Sequence, residues 1–468
     1  MPPPEVSIIL PVYNAEAFLD EALESILQQS FLQKGGLLEV SAFDDGSSDG
    51  SAAVLQRWAE RLTAAFPETF TFTSGANEER LRAARRGEAR AEAYAEEERP
   101  SQDPPSRRPS PDRCSLCARA TAPEALQRKK ANGAGYCESC RQLSKEEWQA
   151  KRREAYERRT GLRRGGAPAA GEGGHDSISV GFPPLPDRDR LKSSGSPGFA
   201  CNSAIRQSRG TFLCRFDADD VMHPERVERQ VEALRAQPPE LRERTILGTG
   251  FVRMPEDATP RYTQWLNDMT EEQLMSQRFR EVTLLHPTWM YHRRVWETVG
   301  GYTHDTTVGE DIVFFHQHLE KGGRLLRLRE PLLHYRCHPG QRSWRLPRRE
   351  VQSAKAAAFE RQVLSTQPWR EGFGVVGAGR DARDFCKALS PEALRKVRAF
   401  YEVDPKKIGK SIAFPFADGT HQVPVLEQPK LQIPFVVCVA LERGYQVLSA
   451  IARDQPTAQE GVDYFHLV

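Results

Sequence analysis

Nowhere in the 468 residues is there an uninterrupted apolar run approaching the roughly 18–20 residues needed to cross a bilayer. The opening MPPPEVSIILPVYN has no basic residue, and its apolar stretch from Val6 to Val12 is far shorter than the apolar core plus cleavage site of a secretory leader. Neither membrane insertion nor secretion is written here, so the expected location is the cytoplasm. Charge of one sign is missing too. Sixty-six Lys and Arg stand against 64 Asp and Glu, and the net charge of +2 gives no global attraction for nucleic acid or an anionic membrane. Nucleic acid is therefore not an expected partner. The nine cysteines are an odd number in a chain with no expected leader, which argues against a disulfide framework and for metal ligands or buried thiols. No repeat of fixed period is visible.

At roughly 150 residues per domain, this length suits two or three units. From Val6 to Trp58 the pattern runs strand, helix, strand, helix: VSIILPV, then Phe18, Leu19, Ala22, Leu23, Ile26 and Leu27 at helical spacing, then LLEVSAF, then helical periodicity again from Ala52. That alternation predicts an α/β fold with a parallel sheet, and such sheets bind ligands outside the carboxyl ends of their strands. Residues 75–175 break the pattern, being rich in Arg, Glu, Ala, Pro and Gly, and read as a low-complexity insert between residues 1–74 and 176–342. Residues 343–370 read as a polar, partly helical connector, and 371–468 as a small Rossmann-like α/β unit.

Three acidic clusters carry the chemistry. Asp44-Asp45-Gly46-Ser47 follows the second strand, where its carboxylates project from a turn into a cleft; the competing reading is an Asx-type turn capping the next helix. Asp217-Ala218-Asp219-Asp220 follows the strand TFLCRF. Crowded carboxylates repel each other, and Mg²⁺ or Mn²⁺ binds one or two of them and fills its shell with water and substrate phosphates. The turn therefore fits a metal-diphosphate clamp, with a capped turn as the alternative. Gly309-Glu310-Asp311 precedes the amphipathic IVFFHQHL, where a carboxylate either complements the helix dipole or takes a proton from an attacking hydroxyl.

In that order, VSIILPVYNAEAFLDEALESILQQSF, FDDGSSDG, RFDADDVMHPERV and VGEDIVFF resemble the inverting glycosyltransferases of family 2, over residues 5–73 and 176–340. The resemblance implies a GT-A fold, a UDP-sugar donor, a carbohydrate or other hydroxyl acceptor, and Mn²⁺ or Mg²⁺. It also implies roles. Pro11, Tyr13 and Glu16 would line the nucleoside pocket, and Asp45 would pair with the uracil ring. Asp217 and Asp219 would form the two ends of the Asp-x-Asp motif, with Asp219 on the metal. Asp311 would be the general base, supported by Glu310, and His338 in HYRCHPG would lie near the donor diphosphate. The segments RYTQWLNDMTEEQL, HPTWMYHRRVW and LLHYRCHPG are similar to N-acetylglucosamine-transferring members, which makes that sugar the expected one. Two features depart from the pattern. Cys201 stands where the family commonly has a basic residue, and Arg215 interrupts an apolar strand, so that it either snorkels to solvent or reaches the site.

Cys114-x2-Cys117 and Cys137-x2-Cys140, 19 residues apart, match a four-thiolate, zinc-ribbon-like site. Such a zinc would be structural, folding a module at residues 112–145. A redox pair or four incidental thiols are the alternatives. The run SKEEWQAKRREAYERRTGLRR reads as a solvated helix. Gly374, Gly377, Gly379 and Ala382, with Asp404 after the next strand, resemble a dinucleotide fingerprint, but Arg380 crowds the turn and NAD(P) is not expected there. His286, His292 and His304 fall at no ligand spacing and read as packing or acceptor-site residues. Two other functions compete. One is a catalytically weak scaffold whose insert recruits a protein partner, a reading Cys201 favours. The other is a nucleotidyltransferase, for which LPVYNAE lacks the glycine-rich, Arg- or Lys-bearing first loop.

Overall fold

The computed structural model describes residues 2–77, 196–439 and 441–467. The zinc module expected on Cys114, Cys117, Cys137 and Cys140, and the basic run after it, lie outside the described residues. The first sheet begins with β1 (Val6–Val12), and the chain returns through α1 (Glu16–Leu27) to β2 (Leu38–Asp44). VSIILPV is buried at all but one position, as a strand covered on both faces requires. On α1, Leu19, Ala22, Leu23 and Ile26 face inward at three- and four-residue spacing, the stripe that docks a helix on a sheet. There follow α2 (Ser51–Ala65), β3 (Phe70–Ala76), α3 (Pro197–Gln207), β4 (Phe212–Arg215), the short β5 (Val221–Met222), α4 (Arg226–Arg235) and β6 (Thr245–Met254). After α5 (Pro260–Asp268) come β7 (Met290–His292), α6 (Glu310–Glu320) and β8 (Arg324–Arg336).

The sheet order is β3-β2-β1-β4-β7-β6-β8-β5. β1 pairs in parallel with β2 and β4, and β2 with β3, so four strands end at one edge. Register fixes the level of each motif there: Val12 lies opposite Asp44, and Asp44 opposite Ala76, while Ile9 lies opposite Arg215. β7 runs against both β4 and β6, and β8 is parallel to β6, so β8 points the same way as β4. The helix that feeds β8 has its N-terminus, with Glu310 and Asp311, on the side where β8 ends. No described helix is long and apolar enough to cross a membrane.

The stretch after Ser343 is more than a connector. Its helix α7 (Arg348–Gln362) buries Ala354, Lys355, Ala356, Ala358 and Phe359, a face of small residues that barely stands out among Arg, Gln and Glu in the sequence. Beyond it lie β9 (Phe373–Val376), α8 (Arg380–Ala388), β10 (Val397–Glu402), β11 (Ser411–Phe416), β12 (Gly419–Glu427), β13 (Phe435–Val437), α9 (Leu441–Asp454) and β14 (Tyr464–His466). They form a second sheet of order β11-β12-β10-β9-β13-β14, parallel except for β11.

Phe279, between β6 and β7, joins the two sheets. Its ring centroid lies 5.3 Å from that of Phe359 and 5.2 Å from that of Phe465 on β14, and it stacks on His316 of α6. Fully buried, it touches the apolar core of the second sheet from a loop of the first. Truncation to alanine leaves a cavity shared by both, and Phe279→Ala is expected to lower stability by about 3–5 kcal/mol. Urea unfolding reads this as a fall in midpoint; a loss under about 1 kcal/mol would show that the junction does not depend on that ring.

Candidate active site

At the carboxyl edge of β1 and β2, two loops are zipped together. Asn14, at φ +49°, donates its backbone N–H to Ser47 Oγ at 2.9 Å and accepts from the Ser48 N–H at 2.8 Å. The Ala15 N–H reaches Ser51 Oγ, and the Glu16 N–H reaches Asp49. The Asx-type turn weighed from sequence exists, but Asp44 builds it, accepting from the Ser47 N–H at 2.8 Å and the Ser47 hydroxyl at 2.7 Å. Asp45 is a separate matter. It is buried, its Oδ1 accepts from Asn77 Nδ2 at 2.9 Å, and the Asn77 N–H in turn bonds the Asp44 carbonyl, so β3 clamps the carboxylate in place. Pro11 is partly buried near the end of β1, and Tyr13 is 51% exposed at the same edge. Glu16 is otherwise employed: its carboxylate accepts from the Gly50 N–H at 2.8 Å, bracing the loop before α2 and not facing a nucleoside pocket freely.

The acidic turn after β4 divides its three carboxylates. Asp220 is fully buried, and its Oδ1 accepts from the Arg336 N–H at 2.9 Å, fastening the end of β8 to the turn. Its Oδ2 is buried with no hydrogen-bond partner among the described residues. Asp217 and Asp219 keep 31% and 26% of their side-chain surface, enough for a ligand to reach them. One ligand oxygen from each of the three lies within 4.8 Å of the others. Burial, and then the charge of Asp217, push the Asp219 carboxyl up despite His338; burial, and then the charges of Asp219 and Asp217, push Asp220 well up. Three carboxylates within reach of one another, two of them driven toward their neutral forms and one with an orphaned buried oxygen, make an all-oxygen donor set suited to Mg²⁺ or Mn²⁺.

His338 meets this turn, its Nε2 lying 2.9 Å from Asp219 Oδ2. Arg336, which the sequence reading passed over, donates its Nε to the Asp219 carbonyl at 2.8 Å, reaches Glu21 on α1, and lies over the ring of Phe18. Arg342, also passed over, grips the other acidic motif. Its Nη1 is 2.5 Å from Glu310 Oε2, and its Nη2 donates to the Thr306 carbonyl at 3.0 Å. His338 on Asp219 and Arg342 on Glu310 are four residues apart in sequence, so their Cα atoms are at most ~14 Å apart. The chain turns back between them through the Gln341 N–H to the His338 carbonyl, which shortens the span.

Arg215 settles where its guanidinium goes. It is 3% exposed and does not snorkel; its Nη2 bonds Asp217 Oδ1 at 2.5 Å, while its Nη1 is within 3.3 Å of the Ile9 carbonyl. Cys201 is fully buried beside it, and burial pushes its thiol up to about 12, so it is neutral. Arg215 on β4 thus places a buried cation beside Cys201, in electrostatic reach of both Asp217 and Glu310. Asp311 is partly exposed at the first turn of α6. Burial, followed by the charges of Glu310 and Glu281, raises its carboxyl to about 7 against the opposing Ile312 amide. Of the scattered histidines, His286 is buried against Trp289 and Tyr302, His292 caps the helix at Arg293–Val299, and His304 lies 3.0 Å from Asn202 Nδ2.

A family model for glycosyl transferase family 2 matches residues 7–91 and 192–300, which carry β1 to β7 of the first sheet, and the fold is of the mixed α/β GT-A type. An undecaprenyl-phosphate 4-deoxy-4-formamido-L-arabinose transferase of Pseudomonas aeruginosa is 46% identical over 56 residues, 12% of this chain and 16% of that one. An uncharacterized glycosyltransferase of Haemophilus influenzae is 42% identical over 52 residues, 11% and 19% of the two chains. The chain therefore spans less than a fifth of these relatives' length. Among solved structures, S. aureus TarS in complex with UDP-GlcNAc is 12% identical, with 76% of this chain and 66% of that chain covered at a TM-score of 0.40. The mannosyltransferase PcManGT from Pyrobaculum calidifontis, in complex with GDP-Man and Mn²⁺, is 15% identical, with 78% and 66% covered at a TM-score of 0.38. At that level of likeness neither donor nor metal transfers to this chain.

Proposed function

We propose that this chain is an inverting family 2 glycosyltransferase that moves a sugar from a UDP-linked donor to an acceptor hydroxyl, with Asp219 and Asp217 holding a divalent cation. N-acetylglucosamine is the donor sugar that the sequence resemblance favours. The observation that carries this reading is the segment from Arg336 to Arg342. It ties the acidic turn at one end, through Arg336 and His338, to the start of α6 at the other, through Arg342 and Glu310. That tie supports a reading in which the two acidic motifs serve one site at one edge of the sheet.

The division of labour follows from charge. When the bond to the anomeric carbon breaks, negative charge collects on the departing diphosphate; Asp219 and Asp217 would hold a divalent ion there, which would supply compensating positive charge. His338 and Arg336 hold Asp219 in position. Asp311 takes the proton of the acceptor hydroxyl as its oxygen attacks the anomeric carbon from the face opposite the leaving group, which inverts that centre. A carboxyl raised to about 7 suits this task, being a stronger base than an ordinary aspartate yet largely ionised just above neutrality. The buried cation that Arg215 places beside Asp217 supports the catalytic reading over the scaffold that Cys201 suggests.

UDP release from a panel of UDP- and GDP-linked sugars, with and without Mn²⁺, tests the proposal. UDP-N-acetylglucosamine with Mn²⁺ is expected to give the greatest turnover. No turnover on any donor, together with no donor-induced rise in melting temperature, would return the chain to a scaffold.

A further inference from the structure

The second sheet holds a cavity that the sugar-transfer reading leaves unused. It has a volume of about 450 Å³ and lies between α8 and β11, beside the turn that follows β9. That volume is in the range of small-molecule sites. Four cationic side chains line it: Arg383 and Lys387, one helical turn apart on α8, and Lys407 and Lys410 in the loop from β10 to β11. Its apolar wall includes Phe414 and Val425, both buried.

The charges are unevenly answered. Lys407 pairs with Glu402 at 2.8 Å and Asp404 at 3.9 Å. Arg383 donates Nε and Nη2 to the Ala378 carbonyl at 3.3 and 3.2 Å and makes no ion pair with a carboxylate among the described residues. Lys387 and Lys410 make no ion pair among the described residues. Cations gathered at one cavity repel each other, and an anion with several oxygens relieves them together.

The glycine turn itself does not explain this arrangement. The Ala378 N–H, which a dinucleotide fingerprint turns toward phosphate, donates to Glu402 Oε2 at 3.1 Å. Although burial pushes the Glu402 carboxyl up, the Lys407 ammonium and three main-chain N–H groups outweigh it and hold the group ionised. The glycines have packing reasons: a Cβ at Gly374 would sit 2.5 Å from the Tyr401 ring, and Gly377 has φ +93°. The amide of the turn is taken by the chain's own carboxylate, while the cations open on the cavity at β11.

We propose that this cavity binds a phosphorylated small molecule, with its phosphate among Arg383, Lys387 and Lys410 and its uncharged part against the wall at Phe414. The site is independent of the acidic turn and needs no metal. Titration calorimetry of the full-length protein with inorganic pyrophosphate in EDTA tests it. Wild type and Asp219→Asn are expected to bind alike, with affinity that falls as salt rises. K387E/K410E should bind roughly tenfold more weakly or worse, with UDP release unchanged. Equal affinity in K387E/K410E, loss of binding in Asp219→Asn, or no binding by wild type at millimolar pyrophosphate would each overturn the assignment.

Discussion

Asp311→Asn is expected to slow sugar transfer by about 10²–10⁴-fold while donor affinity holds, because it removes a proton acceptor without removing a charge from the acidic turn. The carboxyl is raised to about 7 by burial and by Glu310 and Glu281, so the wild-type rate should climb with pH through that value and level off above it. In Glu310→Gln one of the two raising charges is gone, and the acid limb should move to lower pH. The same shift has a consequence for stability. A carboxyl whose folded value is raised contributes stability that is present below the unfolded value of about 4 and is lost as pH rises through the folded one. At pH 8 the ionised Asp311 therefore weakens the fold, and Asp311→Asn should be more stable than wild type there. The gain should be only of order 1–2 kcal/mol, since the side chain is partly exposed. A slow variant that is also less stable at pH 8 would argue that Asp311 caps the helix and does no chemistry.

Asp219→Ala should cost several kcal/mol of transition-state stabilisation, about 10³-fold or more in UDP release, with loss of Mn²⁺ binding by calorimetry. Asp217→Ala should cost less. Asp217 already holds Arg215 at 2.5 Å, so part of its charge is answered within the protein, whereas the Asp219 carboxylate meets the imidazole of His338 and, among the described residues, pairs with no Arg or Lys. If the two variants lost equal activity with Mn²⁺ binding intact in both, the turn would be structural, a cap on the chain before α4.

The first half of the large sheet was legible because its strands are continuous apolar runs and its helices carry clear stripes. That Asp45 and Asp219 lie in turns after buried strands, and Asp311 in the first turn of a helix, was legible because those elements carry such patterns. The rest depended on partners remote in sequence. β8 reads as RLLRLREPLLHYR, too charged to announce a strand, yet its last residue fastens Asp220. Arg342 belongs to no motif until Glu310 is seen against it. Glu16 sits in the right loop, but its carboxylate serves Gly50. In the second sheet, β11 and β12 are a hairpin around Ala417-Asp418, whose exposed alternation of polar and apolar residues hides among turns.

Lys355 carries one more implication. Its ammonium, 6% exposed on α7, donates to the Arg280 carbonyl at 2.5 Å and lies 3.3 Å from Glu281, one of the carboxylates that raise Asp311. A chain truncated before α7 would leave that carboxylate without its counter-ion, and Asp311 would hold its proton more tightly. The acid–base tuning of the first sheet is thus set partly by a side chain from beyond it, and the two halves cannot be separated without retuning the chemistry.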